Sequence, residues 1–79
     1  MSRYFFHIVA NNGLVDRDAE GYEFSDVEAA RQEAHKVAGE LVLDALADGT
    51  TAHETIEVAD ERGQIVLRLA CAGIEEVLA

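Results

Sequence analysis

The sequence predicts an α+β fold in ββαββ order: a four-stranded antiparallel sheet covered on one face by one long helix, followed by a short C-terminal helix or tail. Three observations lead there. Residues 25–49 carry apolar side chains at steps of three and four, between a capping signal and a glycine. Short segments on either side are rich in aromatic and β-branched residues and are broken by turn formers. Hairpins require antiparallel pairing, and one helix laid across such a sheet is a sufficient second layer.

Taken in order, residues 3–9 form the first strand. Its faces are Tyr4, Phe6 and Ile8 on one side and Phe5, His7 and Val9 on the other. Both are largely apolar, which places this strand inside the sheet. Asn11, Asn12 and Gly13 tolerate positive φ and make a turn, after which Leu14 and Val15 return. Residues 16–21 are a polar connection, and Tyr22 and Phe24 alternate with Glu23 as a brief strand before the helix.

Ser25 is the expected N-cap. Glu28 three residues on completes an S-x-x-E capping box, with Phe24 before it positioned as a staple. Val27, Ala30, Ala34, Val37, Ala38, Leu41 and Ala45 form the buried stripe, and Gly49 suits the left-handed position past the end. Glu33, Lys36, Glu40 and Asp44 fall on the wet side.

Residues 55–59 form the third strand, with Ile56 and Val58 facing in. Asp60, Glu61, Arg62 and Gly63 make a hairpin loop. Residues 64–70 form the last strand, with Ile65, Leu67 and Leu69 on one face and Val66, Arg68 and Ala70 on the other. The first and last strands, the most apolar, are expected inside. In the tail, residues 71–79, Ile74, Val77 and Leu78 have helical spacing. The whole chain, 1–79, is one domain: 1–24 a first hairpin and connection, 25–49 the helix, 54–70 a second hairpin.

One group of residues lies off the buried stripe. Gly39, Leu43 and Leu46 stand at i, i+4 and i+7, and glycine within a helix costs about 1 kcal/mol relative to alanine. Either another helix or chain packs closely there, or the chain's own tail covers Leu43 and Leu46.

Composition narrows the partners. The 79 residues carry 16 acidic and 6 basic side chains, a net charge of −10, with 49% hydrophobic residues. That balance suits a globular protein and disfavours a nucleic-acid backbone or an anionic membrane. A chain of this size buries only about 60–65% of its unfolded surface, so self-association would add stability. The single cysteine, Cys71, excludes an internal disulfide and fits a reducing interior. There is no apolar signal core and no run approaching the ~20 residues of a membrane span. A cytoplasmic protein is expected.

Four segments in order carry a resemblance: Arg3-Tyr4-Phe5-Phe6-His7; Asp18-Ala19-Glu20-Gly21; Val27-Glu28-Ala29-Ala30-Arg31-Gln32-Glu33-Ala34; and Glu57-Val58-Ala59-Asp60-Glu61-Arg62-Gly63-Gln64. Over roughly residues 2–70 the chain resembles an uncharacterised family of short bacterial proteins that open with an R-Y-F-F-H type of strand. Ser25 stands where such proteins often have proline, and the tail past Ala70 looks like an extension. The resemblance implies no activity, cofactor or site residues. A shorter stretch, residues 18–30, is similar to antitoxins of the HicB type, which carry D-x-x-G-Y ahead of a helix opening with acidic residues and alanine.

The chemistry-bearing residues point away from catalysis. Asp16, Asp18 and Glu20 alternate as in the first half of a calcium loop, and Gly21 follows. The bidentate glutamate such a loop needs at its twelfth position is here Val27. His7, His35 and His53 have no metal-binding spacing, and one cysteine cannot build a zinc cluster. Cys71 has no basic neighbour in sequence to activate it, and there is no phosphate-binding glycine loop. No enzyme and no cofactor are expected. The leading expectation is a protein-interaction or self-associating module, possible as a homodimer, with Gly39, Leu43 and Leu46 as its surface. An antitoxin-like regulator that blocks a basic toxin or nuclease, and a weak divalent-metal-binding domain using Asp16, Asp18 and Glu20, are the alternatives.

Overall fold

The computed structural model describes residues 1–78. Its elements are β1 (Ser2–Val9), β2 (Val15–Asp16), β3 (Tyr22–Phe24), α1 (Val27–Ala47), β4 (Thr55–Ala59), β5 (Ile65–Ala70) and β6 (Glu75–Leu78). The α+β class with one helix on an antiparallel sheet is as expected. The sheet, however, has six strands rather than four, in the order β2-β1-β4-β5-β6, with β3 also paired to β1. β1 and β5 both lie inside, and β4 sits between them.

The two additional strands are β3, which shares one edge of β1 with β2, and β6. β3 pairs with Ser2, Arg3 and Tyr4 at the start of β1, and β2 pairs with Ile8 and Val9 at its end. Residues 17–21 loop out between them, so β2 and β3 flank β1 as one interrupted ribbon. The remaining strand corrects the expected tail helix. Residues 75–78 pair antiparallel with β5, from Ala70↔Glu75 to Leu67↔Leu78. A helix of so few residues is unstable alone, whereas β5 would otherwise present an unpaired row of backbone donors and acceptors. The strand satisfies that row.

The helix keeps its expected place but starts later. Asp26, not Ser25, is the N-cap: its backbone is extended (φ −160°, ψ 176°), and its Oδ1 accepts from Ala29 N at 2.9 Å. Glu28 therefore does not close a capping box and instead pairs with Arg31 at 2.9 Å. At the other end Gly49, with φ 72°, takes the left-handed position. Thr50 N donates to Ala45 O at 2.8 Å and Gly49 N to Leu46 O at 3.1 Å, the paired bonds of a Schellman motif.

Ala30, Ala34 and Ala38, one turn apart, are wholly buried against Ile56, Val58, Leu67, Leu69 and Cys71. The small side chains let the helix lie close to the sheet, and the sheet supplies the bulk. Fully burying each of Ile56, Val58 and Leu69 is worth about 1.5–3 kcal/mol. Tyr4 and Phe6 of β1 pack with Phe24 at ring separations of 6.2 and 5.8 Å and close one side of this core. Between β4 and β5 the register slips: Val58 pairs with Leu67, but Ala59 pairs with Ile65. Val66 is the extra residue, and it joins the helix-facing core rather than the opposite face expected from strict alternation. Among the described residues, no helix is long and apolar enough to cross a membrane.

Candidate interaction surface

The predicted patch lies open. Leu43 is 67% exposed and Leu46 66%. A Cβ placed on Gly39 would meet no atom within 4 Å. The expectation that the tail covers Leu43 and Leu46 is not met, because residues 75–78 are held at the sheet edge. Helical geometry explains the exposure. Leu43 stands on the side of α1 away from Ala34, Leu41 and Ala45, and its neighbours one turn either way are Gly39, Glu40, Leu46 and Ala47. Asp44 and Asp48 follow, and the last turn holds no basic residue to offset the negative end of the helix dipole.

Beside Leu46 the surface is indented. A notch of about 110 Å³ lies between the end of α1, residues 50–52 and the turn leading to β6, with Val42, Leu46, Ala52 and Cys71 among its walls. Cys71 is buried and its thiol is pushed above the ordinary value, first by burial and then by the nearby Glu54 carboxylate. Both effects keep the thiol in its protonated, less nucleophilic form.

The acidic loop is occupied by the fold itself. The Asp18 carboxylate accepts from three backbone donors: Phe6 N at 3.1 Å through Oδ2, and Glu20 N at 3.2 Å and Gly21 N at 3.0 Å through Oδ1. Partial desolvation raises its pKa, but these three bonds and nearby His7 outweigh it and hold the group below the ordinary aspartate value. Asp18 N in turn donates to His7 Nδ1 at 3.1 Å. Asp18 thus replaces a strand partner for Phe6 where residues 17–21 leave the sheet. Asp16 lies in β2, and the Glu20 carbonyl accepts from Arg3 Nη1 at 2.8 Å. Among the described residues, no three His, Cys, Asp or Glu side chains are grouped to hold a metal.

The structure also assembles a cluster that the sequence did not suggest. Glu76 of β6 meets His35 Nε2 and Arg31 Nε, the latter at 2.7 Å. Arg31 and His35 are one turn apart on α1, a spacing that could have marked them as a shared acceptor site. The hydrogen bond from His35 and the pairing with Arg31 lower the Glu76 pKa despite partial desolvation. This cluster fastens the last strand to the helix. Elsewhere Arg3 pairs with Glu23, Arg62 with Asp60 and Arg68 with Glu57. Only five carboxylates among the described residues therefore meet an arginine, Glu28 and Glu76 being the other two. His53 is exposed.

Fold and surface together define a small sheet-and-helix module with an open, acidic, partly apolar helix side. A family model described as a domain of unknown function (DUF6894) matches residues 3–72, and the chain belongs to that family. This agrees with the expected membership of an uncharacterised family. Comparison with curated proteins and with solved structures finds no match.

Proposed function

We propose that this protein is a non-catalytic interaction module that takes a basic protein partner on the outward side of α1. The observation that carries the reading is the exposure of Leu43 and Leu46 beside an open Gly39, on a helix that already buries a complete alanine stripe. Those leucines contribute little to the fold, so their apolar surface is available to another chain. Charge selects the partner. Glu40 and Asp44 flank the leucines with Lys36 as the one cation on that side, so the net negative face favours a basic surface over a second copy. An antitoxin-like regulator of a basic toxin or nuclease is one form of this reading. A divalent-metal role for Asp16, Asp18 and Glu20 has less support, because the Asp18 oxygens already accept three backbone bonds. A cytoplasmic setting goes with the proposal, given one buried cysteine and an acidic surface.

Site-specific photo-crosslinking in the native cells tests it, with the crosslinking residue placed at Leu43 and, as a control, at Glu61 in the β4–β5 loop. The expected result is a discrete adduct from Leu43 with a protein of net positive charge. Leu46→Glu should abolish it, and Glu61 should give none. An adduct of the chain with itself, equal adducts from both positions, or none at all would overturn the proposal.

A further inference from the structure

We infer that the partner anchors by inserting one branched aliphatic side chain, carried next to a lysine or arginine, into the notch between the end of α1 and the turn before β6. The inference rests on the interaction reading above and names what is recognised. The notch, about 110 Å³, is of the same order as the ~150 Å³ apolar cavity that admits benzene, so it has room for one such side chain. Val42, Leu46 and Ala52 give it apolar walls, with the buried Cys71 beneath them. At Gly73, φ 79° favours glycine, and the missing side chain keeps that wall low.

The surroundings are negative. Glu54 acts on the Cys71 thiol, and the Glu75 carboxylate lies beside Gly73. The carbonyl end of α1 has no basic residue in its last turn. None of the chain's arginines or its lysine lines the notch. An apolar hollow within an uncompensated negative rim fits an aliphatic group with an adjacent cation, and repels the same group beside a carboxylate. Leu46 belongs to both the notch and the exposed helix side, so anchor and docking face are continuous.

Amide NMR of the full chain tests this with two small probes of the same body and opposite charge, isopentylammonium chloride and sodium isovalerate, at matched ionic strength. The ammonium ion should shift the amides of Leu46, Thr51, Ala72 and Gly73 saturably, with a Kd on the order of millimolar. Isovalerate should bind more weakly by at least about two- to fivefold. Thr51→Leu, at an exposed rim position, should fill the notch and remove the shifts, while Glu75→Gln should weaken the ammonium ion alone. No saturable shift, equal binding of both probes, or the same amides shifting when the protein alone is concentrated would overturn the inference. A Leu43 adduct in the crosslinking experiment alongside silence here would leave the docking face standing and remove only its anchor.

Discussion

Replacing Gly21 with alanine separates two costs that glycine avoids. Gly21 has φ 69°, and a Cβ there would sit 2.7 Å from the Tyr4 carbonyl oxygen and 2.9 Å from the Phe5 ring. Gly13 has φ 89° but would meet nothing within 4 Å. Both substitutions force a left-handed backbone on an L-residue, at about 1–2 kcal/mol. Only Gly21→Ala must also displace the backbone of β1, a rigid obstacle because β1 is paired on both edges. Overpacking of this kind adds about 1–3 kcal/mol. Gly13→Ala should therefore lose about 1–2 kcal/mol and Gly21→Ala about 2–5 kcal/mol. A domain of this size has a total stability of roughly 4–12 kcal/mol, so the second variant would be partly unfolded if the parent lies near the lower bound. Urea melts at equal protein concentration would measure the difference, with the slope m expected unchanged for Gly13→Ala. Equal losses in the two variants, within about 0.5 kcal/mol, would refute the argument that close approach to β1 dictates glycine at this position.

Three further outcomes are expected. Asp18→Ala strands the Phe6, Glu20 and Gly21 N–H groups and should destabilise the fold by about 1–3 kcal/mol in chemical denaturation. Because the folded Asp18 pKa lies below the ordinary 3.8, its contribution is fully present above that value and is lost as pH falls through the folded one, so the gap between parent and variant should close in acid. Glu76→Gln should speed hydrogen exchange in β6 while β1 and β4 stay protected. The parent should loosen β6 in the same way as pH falls through the lowered Glu76 pKa, and unchanged exchange in the variant would show that its contacts with Arg31 and His35 do not hold the strand. Ile74 is a β-branched residue at φ 48° that is 40% exposed. In Ile74→Gly the relief of about 1–2 kcal/mol of backbone strain should offset the lost partial burial, leaving Tm within about 8 °C of the parent. Ile74→Ala, which loses the burial but keeps the strain, should melt lower than Ile74→Gly; the reverse order would contradict the strain.

The helix was legible because its signals are local. Apolar steps of three and four, with Gly49 beyond them, mark a helix wherever it packs. Its cap was misplaced by one residue because Ser25 and Asp26 are both good caps, and the carboxylate of Asp26 is the one that reaches Ala29 N. The tail was misread for a different reason. Ile74, Val77 and Leu78 fit helical spacing, but so short a segment takes whatever its surroundings offer, and the free edge of β5 is not written in residues 74–78. The same holds for the notch, whose walls come from residues 42–52 and 71–73. The place of Leu43 and Leu46 off the buried stripe follows from counting along α1, but their exposure does not, since it depends on where residues 75–78 go.

That contrast bears on where activity should be sought. The most motif-like segment, Asp18-Ala19-Glu20-Gly21, invites a reading as a ligand loop. Yet the Asp18 carboxylate caps three backbone amides, the Asp18 amide satisfies His7, and Gly21 is small because β1 passes against it. Each of these residues has a mechanical reason to be what it is. Leu43 and Leu46 suit a helix but leave about two thirds of their surface in water, so they gain little from burial in the fold. Leu14, Tyr22 and Val77 are exposed to a similar degree, so what sets the outward side of α1 apart is the continuity of Leu43, Leu46 and the notch, and the proposal of a docking face rests on that grouping.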